Sequence, residues 1–238
     1  MKKQQGFTLI EIAIVLVIIG LLLGGVLKGQ ELINSARVRN IASQLDGVKI
    51  AYLAFQDRYR VLPGDMPTQT ALTSLPLVNG SATPGCGTAN SGLCANGVID
   101  PGENLLVWTQ LAASGFITGT YNGTVASGDT ATTAIAGSPT TNPTNAFSGY
   151  IELVNDADYL DTGTAAAHTN VKTGGNVPVG ILLELDNKID DGQPNTGQMR
   201  ESGGLWDGTG TTNTCTTGTP LAYNAAAGAP NCGGVILQ

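Results

Sequence analysis

Residues 6–33 read GFTLIEIAIVLVIIGLLLGGVLKGQELI, and this stretch decides the architecture of the chain. The first 21 or so residues after Gly6 contain only Thr8 and Glu11 besides apolar residues and glycines. A helix of about 20 such residues crosses the hydrocarbon layer of a bilayer, because each residue adds roughly 1.5 Å. Two lysines precede the run, which favours a cytoplasmic N-terminus. The sequence therefore predicts a single-pass helix with the rest of the chain across the membrane.

Glu11 is the feature of this run that topology does not explain. A carboxylate inside a membrane helix costs roughly 2.5–3.5 kcal/mol at mid-depth on insertion scales. Either the side chain lies near the headgroups and is hydrated, or it has a cationic partner. The apolar pattern alone leaves both alternatives open.

The residues Gly6-Phe7-Thr8-Leu9-Ile10-Glu11, after a short basic leader, resemble the processing and methylation motif of type IV pilins and of type II secretion pseudopilins. The resemblance implies that a prepilin peptidase removes leader residues 1–6 by cutting between Gly6 and Phe7. It further implies N-methylation of the Phe7 amine and pairing of Glu11 with that amine on a neighbouring subunit.

The same resemblance implies a location and a set of partners. The precursor would be an inner-membrane protein with a periplasmic head, and an assembly platform would add it to other pilin subunits in a filament. Further similarity to prepilin-type proteins lies in residues 24–33, 59–65, 103–119 and 190–197. Many major pilins have a proline where this chain has Lys28, so the resemblance leaves major and minor subunit open.

Beyond residue 30 the apolar residues fall on one side of a predicted helix. They recur at alternating spacings of three and four, which is typical of an amphipathic helix. The stripe comprises Val38, Ile41, Leu45, Val48, Tyr52, Phe55, Tyr59 and Leu62. Pro63 and Gly64 then end the helix. An isolated coiled coil is an alternative, but the abrupt end favours a stem that packs under a head.

The division of the chain follows from these patterns. We expect a leader at 1–6, a transmembrane or filament-core helix at 7–29, an amphipathic stem at 30–62 and an exported head at 63–238. In the head, residues 104–114 after Asp100 predict a capped helix closed by Gly115. Short aliphatic runs predict strands at 150–155, 177–185 and 234–237. Residues 118–148 predict a long surface loop.

The predicted fold is therefore α+β, with a long N-terminal helix packed on a small antiparallel sheet in the type IV pilin-like manner. The head is strongly acidic, since only three basic residues oppose fourteen acidic ones from residue 61 onward. A surface of that sign repels phosphate, so we expect no nucleic-acid binding through the head.

Four cysteines, Cys86, Cys94, Cys215 and Cys232, lie in loop-like sequence of the predicted exported part. Neither pair has the CxxC spacing of a zinc ribbon or a thioredoxin-type site. An oxidising compartment favours two disulfides. Local pairing, Cys86 with Cys94 and Cys215 with Cys232, is the one we favour among three connectivities.

Two acidic clusters raise the possibility of calcium, because oxygen ligands in a glycine-containing loop suit that ion. One comprises Asp156, Asp158 and Asp161, and the other comprises Asp186, Asp190 and Asp191 ahead of Gly192. Calcium binding by some pseudopilin heads adds to this hypothesis. Neither cluster has EF-hand spacing, and solvated turn carboxylates are the favoured interpretation, with no cofactor expected.

Catalytic patterns are missing from the sequence. His168 is the only histidine, in a stretch that predicts a loop, and no GxSxG, HExxH or P-loop pattern occurs. We therefore predict a structural filament subunit rather than an enzyme. The alternative is a tip-located minor pilin that binds a surface, a partner pilin or DNA. A plain single-span anchored protein is a third reading, which leaves Glu11 unexplained.

Overall fold

The computed structural model describes residues 9–76, 85–86, 94–123, 137–202, 214–228 and 230–238. The helices are α1 (Leu9–Tyr59), α2 (Thr68–Ser74), α3 (Leu106–Ala113) and α4 (Val179–Ile189), with a 3₁₀ turn at Ala225–Ala227. The strands are β1 (Glu152–Asp156), β2 (His168–Lys172), β3 (Met199–Glu201), β4 (Thr216–Thr217), β5 (Ala222–Tyr223) and β6 (Gly234–Leu237). The architecture is α+β, as predicted.

α1 is one continuous helix of 51 residues, roughly 77 Å long at 1.5 Å per residue. Its buried residues begin at Val38 and follow the predicted stripe through Phe55. The helix ends at Tyr59, and Arg60 follows with a φ of 59°. The amphipathic stripe and the end of the helix before Pro63 are both confirmed.

A four-stranded antiparallel sheet packs on this half of α1. The strand order is β1-β2-β6-β3, so the C-terminal strand β6 lies inside the sheet between β2 and β3. Leu153, Val171, Ile236 and Met199 stand side by side across the sheet in register, and all four are buried. These side chains and the α1 stripe belong to one hydrophobic core. β4 and β5 pair separately.

The strand predicted at 177–185 is wrong, because this segment forms α4. Pro178 precedes the helix, and Val179, Leu182 and Leu185 recur every three residues and are all buried. This is helical rather than strand spacing. The aliphatic run concealed this spacing, because Gly180 and Leu183 lie between the buried residues and are not polar either. The loop predicted at His168 is also wrong, because His168 begins β2.

The predicted helix at 104–114 is present as α3, and Gly115 closes it with a φ of +80°. Asp100 does not cap it, however. The main-chain N–H of Asp100 donates to Glu103 Oε2 at 3.1 Å, and the Glu103 N–H donates back to the Asp100 carbonyl at 2.8 Å. These bonds close a separate turn, and α3 begins only at Leu106. Of the loop predicted at 118–148, residues 124–136 lie outside the described residues.

Polar contacts hold the head on α1 where the covered part of the helix begins. Ser35 Oγ donates to Glu184 Oε1 of α4 at 3.1 Å, and Gln44 Nε2 donates to the carbonyl of Thr144 at 2.9 Å. The Arg37 guanidinium lies 4.9 Å from the centre of the Phe147 ring. The head therefore begins to cover α1 near residue 35. The 26 residues before it form an arm of roughly 39 Å, residues 9–34.

Candidate assembly site and the locked loops of the head

The N-terminal arm exposes apolar side chains on every face. Leu9 is 93% exposed and Leu21 74%, and no residue of the arm is buried by the head. Among the described residues, α1 is the one helix long and apolar enough to cross a membrane. A helix that is apolar all round is stable only in lipid or against other apolar helices. In the described part of the chain, the arm is therefore an apolar surface that lipid or other apolar helices would stabilise.

Glu11 lies in the first turn of α1 and is exposed. It is a carboxylate at the tip of an otherwise apolar arm, near the positive end of the helix dipole. Gly6 and Phe7, the predicted cleavage and methylation site, lie outside the described residues. The cleavage, the methylation and the intersubunit pairing remain predictions.

The segment after α1 joins the stem to the head. Gly64 has a φ of +94°, and its N–H donates to Gln110 Oε1 of α3 at 2.7 Å. A Cβ at this position would lie 2.9 Å from Val107 Cγ2, so the close approach of this turn to α3 requires glycine. Asp65 is buried and accepts the N–H of Gly97 at 2.8 Å. Residues 59–65 thus form the structural junction between the stem and the head.

Both predicted disulfides are present, Cys86–Cys94 and Cys215–Cys232. Cys232 lies just before β6 and pairs with Val177 through a two-way main-chain bridge. This disulfide therefore ties the C-terminal strand to the segment containing β4. The main-chain N–H of Cys86 donates to the Met66 carbonyl at 3.0 Å, which anchors the first disulfide to the junction after α1.

Asp186, Asp190 and Asp191 come together at the end of α4, with ligand atoms within 4.8 Å of one another. Asp186 is buried, and accepts the Tyr223 hydroxyl at 2.8 Å and the Gly192 N–H at 3.3 Å. Burial raises the pKa of Asp186 to about 6 in spite of these bonds. The negative charge of Asp186 is therefore costly at neutral pH.

The other two carboxylates of this cluster hold the following loop. Asp190 Oδ2 accepts the main-chain N–H groups of Gln198 and Met199. Asp191 accepts the Thr196 hydroxyl at 2.6 Å and the Gln193 N–H at 2.9 Å, and these bonds lower its pKa. The cluster therefore closes the turn from α4 into β3.

The oxygens of this cluster meet the needs of a calcium ion only in part. Three carboxylates at this spacing suit calcium, but five of their six oxygens already accept protein N–H or O–H groups. Loop closure accounts for the cluster without an ion. Calcium binding therefore stays the less favoured interpretation of this cluster.

The other acidic cluster does not converge on one point. Asp156 and Asp158 face Lys172, and Asp161 forms an ion pair with Arg200. Sequence reasoning missed both basic partners, which follow in the chain by 16 and 39 residues. The sequence held one indication of these pairings, the scarcity of cations. Beyond residue 60 the only lysines and arginines are Lys172, Lys188 and Arg200.

Comparison with known proteins found one correspondence. Residues 1–27 match the prokaryotic N-terminal methylation motif. No curated protein and no solved structure gave a significant match. The matched segment contains Gly6, Phe7 and Glu11 and most of the exposed arm. This chain therefore carries the N-terminal methylation motif that is typical of type IV pilins and pseudopilins.

Proposed function

We propose that this chain is a structural subunit of a type IV pilus-like filament, polymerised through its N-terminal arm. The observation that carries the proposal is the uncovered apolar arm joined to the methylation motif. A head that covers α1 only from about residue 35 leaves this arm for the membrane first and for neighbouring arms afterwards.

Processing is the first step of the proposed pathway. A prepilin peptidase would cut between Gly6 and Phe7 on the cytoplasmic side, and methylation of the Phe7 amine would follow. Residues 1–6 would thus be a leader, and the mature chain would begin inside the apolar run. An intact mass of membrane-extracted protein that still includes Met1 would contradict this step.

Assembly is the second step, and it gives Glu11 a role. A carboxylate in an apolar setting is stabilised by a cation, and the Phe7 amine of the next subunit would supply one. Within the arm, Lys28 lies 17 residues from Glu11, roughly 26 Å along the helix, too far to serve. Docking of a subunit would therefore bring the Glu11 carboxylate and the Phe7 amine together.

Two residues in the second half of α1 add secondary support to the filament proposal. Ile50 and Leu53 lie on α1 beneath the head, yet they are 67% and 49% exposed. Single exposed apolar residues are normal on a protein surface, so these two become informative only together with the apolar arm on the same helix. In the proposed filament, these residues would extend the contact surface from the arm toward the end of the stem.

The test of the proposal replaces Glu11 with Gln in a strain that has this chain as its only copy. We expect Glu11→Gln to be processed normally but to accumulate in the inner membrane, with filament yield reduced tenfold or more. Glu31→Gln is the matched control, because Glu31 is an exposed carboxylate on the same helix, 2.6 Å from Lys28. Normal filament yield from Glu11→Gln would refute the pairing.

A tip-located minor pilin is the second candidate function, with the head as a binding module. One feature favours it, a half-open cleft of about 670 Å³ between α1 and the residues after α3, lined by Val48, Trp108, Phe116 and Tyr121 among others. The two candidate functions predict different amounts of this chain in purified filaments. Filaments made mostly of this chain support the shaft subunit, and trace amounts beside another pilin support the tip subunit.

A further inference from the structure

The lysine at the end of β2 is buried, which is unusual for that residue type. Lys172 is 4% exposed, and its Nζ lies 2.5 Å from Asp156 Oδ2 and 3.8 Å from Asp158 Oδ2. The register of β1 and β2 places Glu152 directly opposite Lys172. Asp156 and Asp158 thus lie beside the amine, and Glu152 is the cross-strand neighbour of Lys172 on the outer face of the sheet, the face opposite α1.

The connection between β1 and β2 folds back and covers this face. Tyr159 is buried, its hydroxyl donates to the Ala166 carbonyl at 2.6 Å, and the Leu160 N–H donates to the Glu201 carbonyl at 2.8 Å. Arg200 stacks 5.3 Å from the centre of the Tyr159 ring. These contacts hold the connection down, so the Lys172 and Asp156 side chains are only 5% and 10% exposed.

Asn170 fixes the position of the Asp156 carboxyl group. It is fully buried, and its Nδ2 donates to both the main-chain oxygen of Asp156, at 2.9 Å, and Oδ1, at 3.0 Å. The other oxygen, Oδ2, faces the Lys172 amine. The carboxyl carbon is bonded to this oxygen, so the amine nitrogen lies close to the carbon as well.

The charges of this group are poorly balanced as an ion pair. Asp156 and Glu152 are largely buried with Lys172, whereas Asp158 is 42% exposed, so two carboxylates share one ammonium where little water reaches and even a paired charge is expensive. Burial raises the pKa of Glu152 to about 7, so this group exchanges a proton near neutral pH. A neutral amide between Lys172 and Asp156 would remove two charges from the site.

We propose that Lys172 and Asp156 condense into an intramolecular isopeptide bond. The Lys172 ammonium passes its proton to the Asp156 carboxylate, and the neutral amine attacks the carboxyl carbon. Glu152 carries the proton from the attacking nitrogen to the departing hydroxyl group. A C–N bond forms, a C–O bond breaks and one water leaves, so the step needs no oxidant or other reactant.

The bond would be a third covalent closure of the head. It would join positions 16 residues apart, close to the 17 of Cys215–Cys232, and seal the connection between β1 and β2. Unlike a disulfide it would resist reduction. The proposal does not rest on filament assembly, since it concerns the folded head alone.

The experiment is the intact mass of the full chain after its disulfides are reduced and alkylated. We expect the parent to be lighter than its sequence predicts by one water molecule, relative to Lys172→Arg after correction for the substitution. Processing and methylation affect both proteins equally and cancel. Lys188→Arg, on the exposed end of α4, is the matched control and should keep the mass loss.

Localisation and the role of Glu152 are tested on the same material. Cleavage after acidic residues should yield a branched peptide joined through Lys172 and Asp156. Glu152→Gln, which keeps size and removes the titrating group, should contain the unreacted pair in a larger fraction of molecules. A parent of full mass, or a water loss that persists in Lys172→Arg or maps elsewhere, would overturn the proposal.

Discussion

The two halves of α1 are one continuous helix in two different environments. In the arm, apolar residues cover every face and remain exposed, whereas from Val38 onward they form one stripe that the head buries. The comparison teaches that helix continuity and burial are separate properties. The described residues of the head leave the arm uncovered, whereas the stem packs on the sheet and α4.

The sharpest test of this comparison makes the same substitution in each half. Leu45 is 2% exposed and Leu21 is 74% exposed. We expect Leu45→Ala to destabilise the head by about 2–5 kcal/mol, because it leaves a cavity in the core, and Leu21→Ala to change head stability by less than about 0.5 kcal/mol. Thermal unfolding of the full chain in detergent measures both. Equal effects would mean that the arm packs on the head.

We expect loss of either disulfide to lower the stability of the head without changing the membrane insertion of the arm. Replacing both Cys215 and Cys232 with Ser should cost about 3 kcal/mol, and the Cys86 and Cys94 pair about 2.5 kcal/mol, by loop-closure entropy. We expect the first loss to be the larger also because Cys232 positions β6 inside the sheet. Denaturant unfolding gives the values, and membrane fractionation should show both variants inserted normally. A larger loss from the Cys86 and Cys94 pair would contradict this ranking.

We expect Asp186 to make the stability of the head depend on pH. Its folded pKa of about 6 exceeds the ordinary value of 3.8, so the folded head binds the proton more tightly than the unfolded chain. The contribution of the Asp186 proton to the free energy of unfolding is fully present below pH 4. It is lost as pH rises through 6, by about 1–3 kcal/mol.

The measurement is the difference in unfolding midpoint between the parent and Asp186→Asn at pH 4.5 and pH 7.5. We expect the parent to lose more stability than the variant on going to the higher pH. Asp46→Asn, at an exposed position of α1, controls for a general effect of charge. A parent and a variant with parallel pH profiles would exclude this role for Asp186.

The smallest expected effect is that of calcium. Because N–H and O–H donors already occupy the Asp186, Asp190 and Asp191 cluster, 1 mM calcium should leave the unfolding midpoint of the head within about 1 °C of its value in chelator. A rise of several degrees that disappears in Asp190→Asn would establish a calcium site.

Local patterns were sufficient to predict some elements. The stripe of α1, the closing Gly115 of α3 and the strands β1 and β6 followed from periodicity and turn residues. β2 could not be predicted, because its first three residues, His168, Thr169 and Asn170, are polar. They remain in a strand because the connection after β1 covers Asn170 and because Thr169 hydrogen-bonds Tyr52 of α1.

The sequence by itself determined that this chain has an apolar membrane-length arm, a methylation motif and an amphipathic stem, because these features depend on neighbours a few residues apart. Only the tertiary structure decided that β6 lies inside the sheet and that Lys172 meets Asp156. Those outcomes depend on which distant segments cover each other. Burial, the source of the raised pKa values and of the proposed bond, is a property of the folded chain.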